Sequence, residues 1–591
     1  MGNRSIGFGG PGRRWSILLA AFLVLLGVRT AFLDREDWPG FIGDEATYLL
    51  AAESLAWDLD FYYERADYDR FVEHWGERPE MLLFLQSDDH GRTLAYGKPL
   101  FFPLAAAPLT RIWPTHGALL TNLLFLAVAA ALVARALERH LGALAPLWVA
   151  VFLFASVAFA YSVWAHADSF LMSLTASALS LALLDRRADA DRGSKRGRKQ
   201  QALWLAIGML FAIVAFSRPF YATLALPLLA LLPTGKRARL GIAFGAGALL
   251  IVGAAAAVHW QLAGAVTSYT GERGGFYARV GLPEVDFPGE SWDEAIHRTG
   301  NFAWYQAREP LEQETRLGLW SWNSLYLVAG EHVGLVPYFL PIVLALCCLR
   351  MDRVRLALLL AVVLAVAAFF FYRPFNFYGG GAAIGNRYFL PLYPAVWFLV
   401  ARRPRDSILA WGPLVVALAA APFLWPLWAG LGSYPLSSEQ SYRFVSPAAR
   451  ALLPYETTQS HLKPGGQEDV LHRNFWIRVL SPGARVDAER IWVRSNEWAE
   501  LLLAFNGPRE TLALVGPESG RATLELATGK ILDSEPGEGI TTYRLRLPDE
   551  RARHPMWWTW ESLSLYRLRF RLAGAPPDEV IGLYLEGGQP R

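Results

Sequence analysis

Four short stretches of this chain, and one turn between apolar runs, place ionisable residues where they could act on a substrate. Residues 43–56 read GDEATYLLAAESLA and open on adjacent carboxylates, Asp44 and Glu45. An ionised carboxylate within reach of a hydroxyl can take its proton as a general base. The same pair at a helix start would serve equally well as a cap facing the positive end of the helix dipole. Residues 96–104, YGKPLFFPL, place Lys98 before a proline that holds it in an extended turn. A lysine there either snorkels to headgroups or meets an anion. Residues 163–170, VWAHADSF, contain His166 and Asp168, a spacing that makes a poor metal signature without further ligands. Residues 377–394, FYGGGAAIGNRYFLPLYP, lack the preceding strand and the Gly-Lys-Ser/Thr ending of a phosphate loop. They read as a flexible loop that carries Arg387, a credible phosphate ligand. Arg218, between Ser217 and Pro219, is a weaker candidate of the same kind.

The elements that position these residues are read from composition and charge. The chain has 591 residues, 53% of them hydrophobic and only 18% charged, which points to a bilayer rather than to several soluble domains. Apolar runs long enough to cross roughly 30 Å of hydrocarbon recur from Trp15 to Trp428. They predict eleven spans at 15–33, 117–134, 145–163, 169–184, 202–217, 219–233, 240–258, 334–349, 356–372, 388–400 and 408–430. Arg4, Arg13 and Arg14 before an apolar stretch resemble a signal peptide, but no A-x-A site follows, so a retained first helix is expected. The two cysteines, Cys347 and Cys348, are adjacent and cannot build a disulfide framework.

Connecting segments alternate in character. One set is basic, at 135–139, 186–199, 236–239, 350–355 and 402–405, and by the positive-inside rule lies with the N-terminus in the cytoplasm. The other set, 34–116, 259–333, 373–387 and the tail from 432, then lies outside. Within 34–116 sixteen carboxylates face seven Lys and Arg, so an anionic substrate there must be gripped by particular cations. Tyr48, Ala52, Leu55 and Leu59 recur at helical spacing and predict an amphipathic helix lying on the outer surface, with Asp44 and Glu45 at its start. All the candidate residues thus fall on one side, each at the end of a helix.

Two domains are expected: a helical membrane domain over 1–431 with the long loop 34–116, and an extracytoplasmic β-rich domain over 432–591. Short alternating segments at 490–494, 499–505, 511–515, 522–526, 541–547, 564–572 and 580–585 predict a β-sandwich. Trp557, Trp558 and Trp560 are read as packing residues or as a glycan-binding surface.

In these motifs the chain resembles the GT-C superfamily of integral-membrane glycosyltransferases, in the branch of the protein O-mannosyltransferases and lipid A aminoarabinose transferases. The resemblance covers residues 15 to about 430 and rests on Asp44–Glu45, Lys98–Pro99, Asp168 and the run Arg387-Tyr388, Leu390-Pro391, Pro394. A single Pro99 stands where the family usually has two prolines, and the first outer loop is longer than usual around 58–89. What the resemblance implies is inverting transfer of a sugar from a polyprenyl-phosphate donor to an acceptor hydroxyl on a glycan, lipid or protein, at the non-cytoplasmic face of a bacterial inner membrane. Asp44 would be the base, assisted by Glu45. Lys98, Arg387 and Arg218 would hold the donor phosphate, and Asp168, His166 and Tyr48 the sugar or acceptor, Asp168 alternatively positioning Lys98. No metal, cofactor or nucleic acid is expected, although paired acids near a phosphate could recruit a divalent cation. The rival readings are a transporter or flippase of lipid-linked sugars and a non-catalytic glycan-binding membrane protein. Predicted spans nearly free of acids, and a chain without internal repeats, disfavour the transporter.

Overall fold

The computed structural model describes residues 11–32, 41, 45–76, 78–79, 82–88, 93–192, 197–270, 272–277, 280–286, 288–289, 313–374, 376–379, 384–429, 445–456, 458 and strand segments between 469 and 585. Asp44, residues 380–383 and Trp557, Trp558 and Trp560 lie outside them. The helices are α1 (Pro11–Ala31), α2 (Glu45–Trp57), α3 (Arg65–Trp75), α4 (Phe101–Ile112), α5 (Gly117–Leu141), α6 (Ala145–Phe154), α7 (Ala158–Ser162), α8 (Ala167–Arg192) and α9 (Gly197–Ser217). They continue with α10 (Ala225–Leu231), α11 (Arg237–Ala263), α12 (Gln313–Ala329), α13 (Leu335–Tyr338), α14 (Ile342–Cys347), α15 (Arg353–Tyr372), α16 (Tyr393–Trp397) and α17 (Asp406–Ala429).

Among the described residues seven helical runs are long and apolar enough to cross a membrane: Arg14–Ala31, Gly117–Phe154, Ala167–Arg187, Gly197–Ser217, Thr234–Ala263, Arg353–Tyr372 and Asp406–Ala429. The protein is a polytopic α-helical membrane protein with a C-terminal β region. The expected spans at 145–163, 219–233, 334–349 and 388–400 are present as broken helices. Between α6 and α7 the hydroxyl of Ser156 turns back onto the carbonyls of Phe152 and Leu153, and the Val157 N–H donates to Tyr338 O at 2.8 Å instead of to its own helix. In the other three, prolines at 219, 337, 341, 391 and 394 remove backbone donors and leave short turns of 3₁₀ and α-helix. Periodicity and hydropathy do not register such breaks.

The basic segments meet one another. The Arg187 guanidinium donates to Ala136 O, Lys236 Nζ to Gln200 Oε1 at 3.2 Å, and Arg355 Nη2 to Val400 O at 3.2 Å. Because Lys236 touches the start of α9, the segment 219–231 must run back toward the end of the bundle from which that helix starts. The Ser217-Arg218-Pro219 stretch is therefore a turn and not a kink within one long helix. α9 and α11 cross closely: a Cβ on Gly208 would overlap the carbonyl of Phe244, and one on Gly247 the carbonyl of Leu205. Small residues here let the two backbones approach, as in other membrane helix pairs.

At the opposite end the first and second long connections are joined in an antiparallel sheet of order β2-β1-β3, formed by β1 (Leu82–Ser87), β2 (Ala95–Tyr96) and β3 (Glu272–Tyr277). This sheet, with α3 and α4, encloses α2. Every residue from Glu45 to Ser54 is buried, so the surface-lying amphipathic helix expected from the sequence is instead covered on all sides. Three of its polar residues have partners close by. Thr47 Oγ1 accepts the Phe84 N–H at 2.9 Å, Glu53 accepts Trp75 Nε1 at 3.0 Å, and the Ser54 hydroxyl donates to Asp60 Oδ1 at 2.9 Å. α3 begins with a reciprocal capping box between Glu64 and Asp67. Burial pushes the Asp67 carboxyl up to about 7, only partly offset by the Glu64 N–H and by Arg70.

The C-terminal strands are β4 (Asp469–His472), β5 (Phe475–Val479), β6 (Ala484–Val486), β7 (Ile491–Arg494), β8 (Ala499–Phe505), β9 (Thr511–Pro517), β10 (Thr523–Leu526), β11 (Lys530–Pro536), β12 (Ile540–Arg546), β13 (Arg551–Pro555), β14 (Ser562–Ala573) and β15 (Val580–Leu585). One sheet has the order β10-β14-β8-β5-β4 with β13 beside β14, the other β11-β12-β9-β15-β7-β6. Leu501, Leu503, Leu568 and Phe570 from the first and Leu514, Leu545 and Leu583 from the second share one buried cluster, as the alternation predicts. Before these strands, Val445 and Ala449 pack into the core of the helical bundle.

Two outcomes test this description. Gly208→Leu should lower the thermal unfolding midpoint in detergent, by roughly 1–3 kcal/mol of overpacking strain, and an unchanged midpoint would show that α9 and α11 do not cross there. Asp67 binds its proton more tightly folded than unfolded, with about 7 against the ordinary 3.8. Its contribution to stability is therefore complete below pH 3.8 and lost as pH rises toward 7. A pH series of unfolding midpoints should show that decline, and Asp67→Asn should flatten it.

Candidate active site

The helix ends at the end of the bundle away from the basic segments bring the candidate residues together. Asp168, the second residue of α8, is fully buried. Its Oδ1 lies 2.7 Å from Arg218 Nη2, and its Oδ2 lies 3.0 Å from His166 Nδ1 and 3.8 Å from Arg387 Nε. Arg387 Nη1 is 3.3 Å from His166 Nε2. An arginine only donates, so Nε2 is the acceptor there, while Nδ1 faces both the Asp168 carboxylate and the Asp168 backbone N–H, 3.3 Å away. The histidine thus bridges the carboxylate and the second guanidinium.

Local chain geometry explains why these side chains are where they are. The irregular turn between α7 and α8 is held by Asn122 of α5, whose Nδ2 donates to the carbonyls of Trp164 at 2.8 Å and His166 at 3.0 Å. Arg218 leaves α9 in an extended conformation. The Tyr269 hydroxyl pins the preceding carbonyl of Ser217 at 2.8 Å, and the Arg218 guanidinium lies 4.4 Å from the centre of the Tyr388 ring. Tyr388 is itself held, since its carbonyl accepts the Tyr221 hydroxyl at 2.8 Å. The glycines before Arg387 have definite tasks: Gly379 adopts φ +111° and a Cβ there would overlap the Arg387 side chain, while Gly385 adopts φ +72°. The described part of this stretch is shaped around the arginine and is not the flexible loop expected from its composition.

Lys98 comes from a different direction. The turn after β2 is set by the Gly97 N–H, which donates to Phe84 O at 2.8 Å. It carries the lysine Nζ to 4.0 Å from the centre of the Phe84 ring and 5.8 Å from that of Tyr48. Tyr48 in turn stands edge-on to His166, ring centres 4.9 Å apart. Tyr48 is therefore the link between the lysine and the Asp168 cluster. Glu45, one turn before it on α2, is fully buried.

Sequence reasoning passed over the aromatic residues that frame these charges. Trp164 stacks on His166 at 4.4 Å and lies 5.4 Å from the Arg387 guanidinium. Its indole Nε1 and the Ser169 hydroxyl are buried polar atoms with no hydrogen-bond partner among the described residues. A tryptophan adjoining the His-Ala-Asp motif was the only available signal. Among the described residues no group of three or more His, Cys, Asp or Glu side chains could hold a metal ion.

No family model matches the sequence, and no curated protein matches it. Among solved structures the chain is similar to ArnT from Cupriavidus metallidurans bound to undecaprenyl phosphate, at 14% identity and a TM-score of 0.39. That match covers 71% of this chain and 65% of the other, just under two thirds of its length. The apo ArnT structure from the same organism matches at 14% identity and a TM-score of 0.41, covering 73% of this chain and 69% of that one.

The Asp168–Arg218 pair generates its own prediction. Removing one member of a buried ion pair leaves a charge without compensation and costs roughly 3–5 kcal/mol. Asp168→Asn should accordingly lower the unfolding midpoint markedly, and adding Arg218→Met should recover much of the loss. An additive double variant would mean that the two residues are not coupled.

Proposed function

We propose that this protein is a GT-C-type membrane glycosyltransferase that moves a sugar from a polyprenyl-phosphate donor to an acceptor hydroxyl, with inversion, at the non-cytoplasmic face. One observation carries the reading. Lys98, Arg218 and Arg387, from three separate segments, converge on Asp168, His166 and Tyr48 at one end of an apolar helical bundle. A phosphate attached to a long apolar chain needs this combination of clustered cations at helix ends and apolar helix faces for the tail.

In the proposed reaction the acceptor oxygen attacks the anomeric carbon as its proton passes to Asp44. The bond from that carbon to the phosphate oxygen breaks, and the polyprenyl phosphate departs as an anion. Such a leaving group needs no acid but does need cations, which are Lys98 and Arg387. Glu45 orients the acceptor. Arg218 is already engaged by Asp168, so its part is to fix the carboxylate and lend positive potential to the phosphate site. The unpartnered Trp164 Nε1 and Ser169 Oγ are polar atoms of the kind that sugar hydroxyls satisfy.

Membranes supplied with a panel of polyprenyl-phosphate sugars should release polyprenyl phosphate. Asp44→Asn should reduce turnover about 100-fold or more, the scale of a lost general base, whereas Lys98→Ala should chiefly raise the donor concentration needed for half-maximal rate. Undiminished turnover in Asp44→Asn would remove the base assignment, and an unaltered donor dependence in Lys98→Ala would remove the phosphate contact.

A further inference from the structure

The segment that leads from the bundle to the C-terminal sheets inserts an acid into the bundle. Glu456 is fully buried, and its carboxylate grips the turn 330–334 between α12 and α13. Oε1 accepts the backbone N–H groups of His332 at 2.7 Å and Val333 at 2.9 Å, and Oε2 lies 3.0 Å from His332 Nδ1. The approach is so close that a Cβ on Gly330 would overlap the carboxylate. Flanking contacts reinforce it. The Glu331 N–H donates to Pro454 O at 3.0 Å, and the Thr458 hydroxyl donates to Asn323 Oδ1 at 2.7 Å.

This turn is bonded directly to the segment that carries Arg387. The carbonyl of His332 accepts the Gly385 N–H at 2.6 Å, two residues before the arginine. The same segment is held on its other side by the Tyr161 hydroxyl, which donates to Ile384 O at 3.0 Å. Arg387 closes the arrangement with its own N–H on Tyr378 O at 3.0 Å. From the C-terminal sheets Arg567 reaches the same turn, with Nη1 2.8 Å from Glu331 Oε2, while its Nε pairs with Glu500 of β8. One peptide unit therefore joins the C-terminal region to the arginine, with Glu456 on its N–H side and Gly385 on its carbonyl side.

We infer that Glu456 is a positioning residue for Arg387: by fixing the turn 330–334 it sets where the guanidinium stands, and so how firmly a polyprenyl phosphate is held. The inference rests on the reading of Arg387 as a phosphate ligand. It gives the C-terminal segment a part in donor binding that is separate from any contact of its own with substrate.

The test is a binding cycle on the full-length protein in lipid nanodiscs, with polyprenyl phosphate as the probe. Glu456→Ala should weaken binding about tenfold or more, while Glu456→Gln, whose amide oxygen still accepts both backbone N–H groups, should retain most of it. On an Arg387→Ala background Glu456→Ala should weaken binding less than twofold further. A general loss of structure would weaken both backgrounds equally and would overturn the assignment, as would binding by Glu456→Ala at the wild-type level. If Glu456→Ala fails to fold, His332→Ala removes only the side-chain contact and should weaken binding about threefold, again only when Arg387 is present. Wild-type protein that does not bind polyprenyl phosphate would overturn the glycosyltransferase reading together with the clamp, whereas wild-type binding untouched by Glu456→Ala overturns the clamp alone.

Discussion

A carboxylate buried at the end of an apolar bundle must be neutralised where it stands, and Asp168 meets this requirement with one close guanidinium, one imidazole and a second guanidinium further off. Charges in such surroundings are costly unless paired in good geometry. The pairing partners come from α7–α8, the exit of α9 and the entry to α16, so those helix ends must meet at one level. Much of the irregular backbone serves this meeting: the turn at 163–166 held by Asn122, the extended Arg218, and the two left-handed glycines that let Arg387 lie against its own chain.

Aromatic rings provide the remaining control. Lys98 and Arg218 each lie over a ring, Phe84 and Tyr388, at 4.0 and 4.4 Å. Long cationic side chains lose much rotational freedom on gripping an anion, and a ring that already fixes them reduces that loss. Phe84 belongs to the small sheet formed by the first two long connections, which makes the position of the lysine dependent on a strand pairing between segments far apart in the chain. The fold thereby holds these cations in fixed places at the mouth of the bundle.

Legibility in the sequence followed the range of the interactions involved. Composition, apolar run length and the sorting of Lys and Arg are local or additive, and they gave the membrane class, the gathering of basic segments and the turn at Arg218. The alternation of apolar residues in 499–505, 511–515, 541–547 and 564–572 gave the two-sheet C-terminal core, although β4, β5, β6 and β13 went unread and so did β11, whose residues are largely exposed and carry no alternation. The helical spacing of Tyr48, Ala52 and Leu55 was real, but it was taken for one buried face. The other face carries Thr47, Glu53 and Ser54, which find hydrogen bonds in β1, in α3 and in the connection that follows α2.

By itself the sequence determined which residue types could do chemistry and, for Lys98, Asp168, Arg218 and Arg387, that they stand near helix ends at one end of the bundle, because charge next to an apolar run is visible in a single dimension. Only the tertiary structure decided that Asp168 belongs first to Arg218, that Tyr48 links Lys98 to His166, and that the turn 330–334 joins Glu456 to the Arg387 segment. Those are contacts between residues separated by tens to hundreds of positions. Which carboxylate meets which cation depends on where helices break and return, and a one-dimensional pattern of types and spacings does not contain that information.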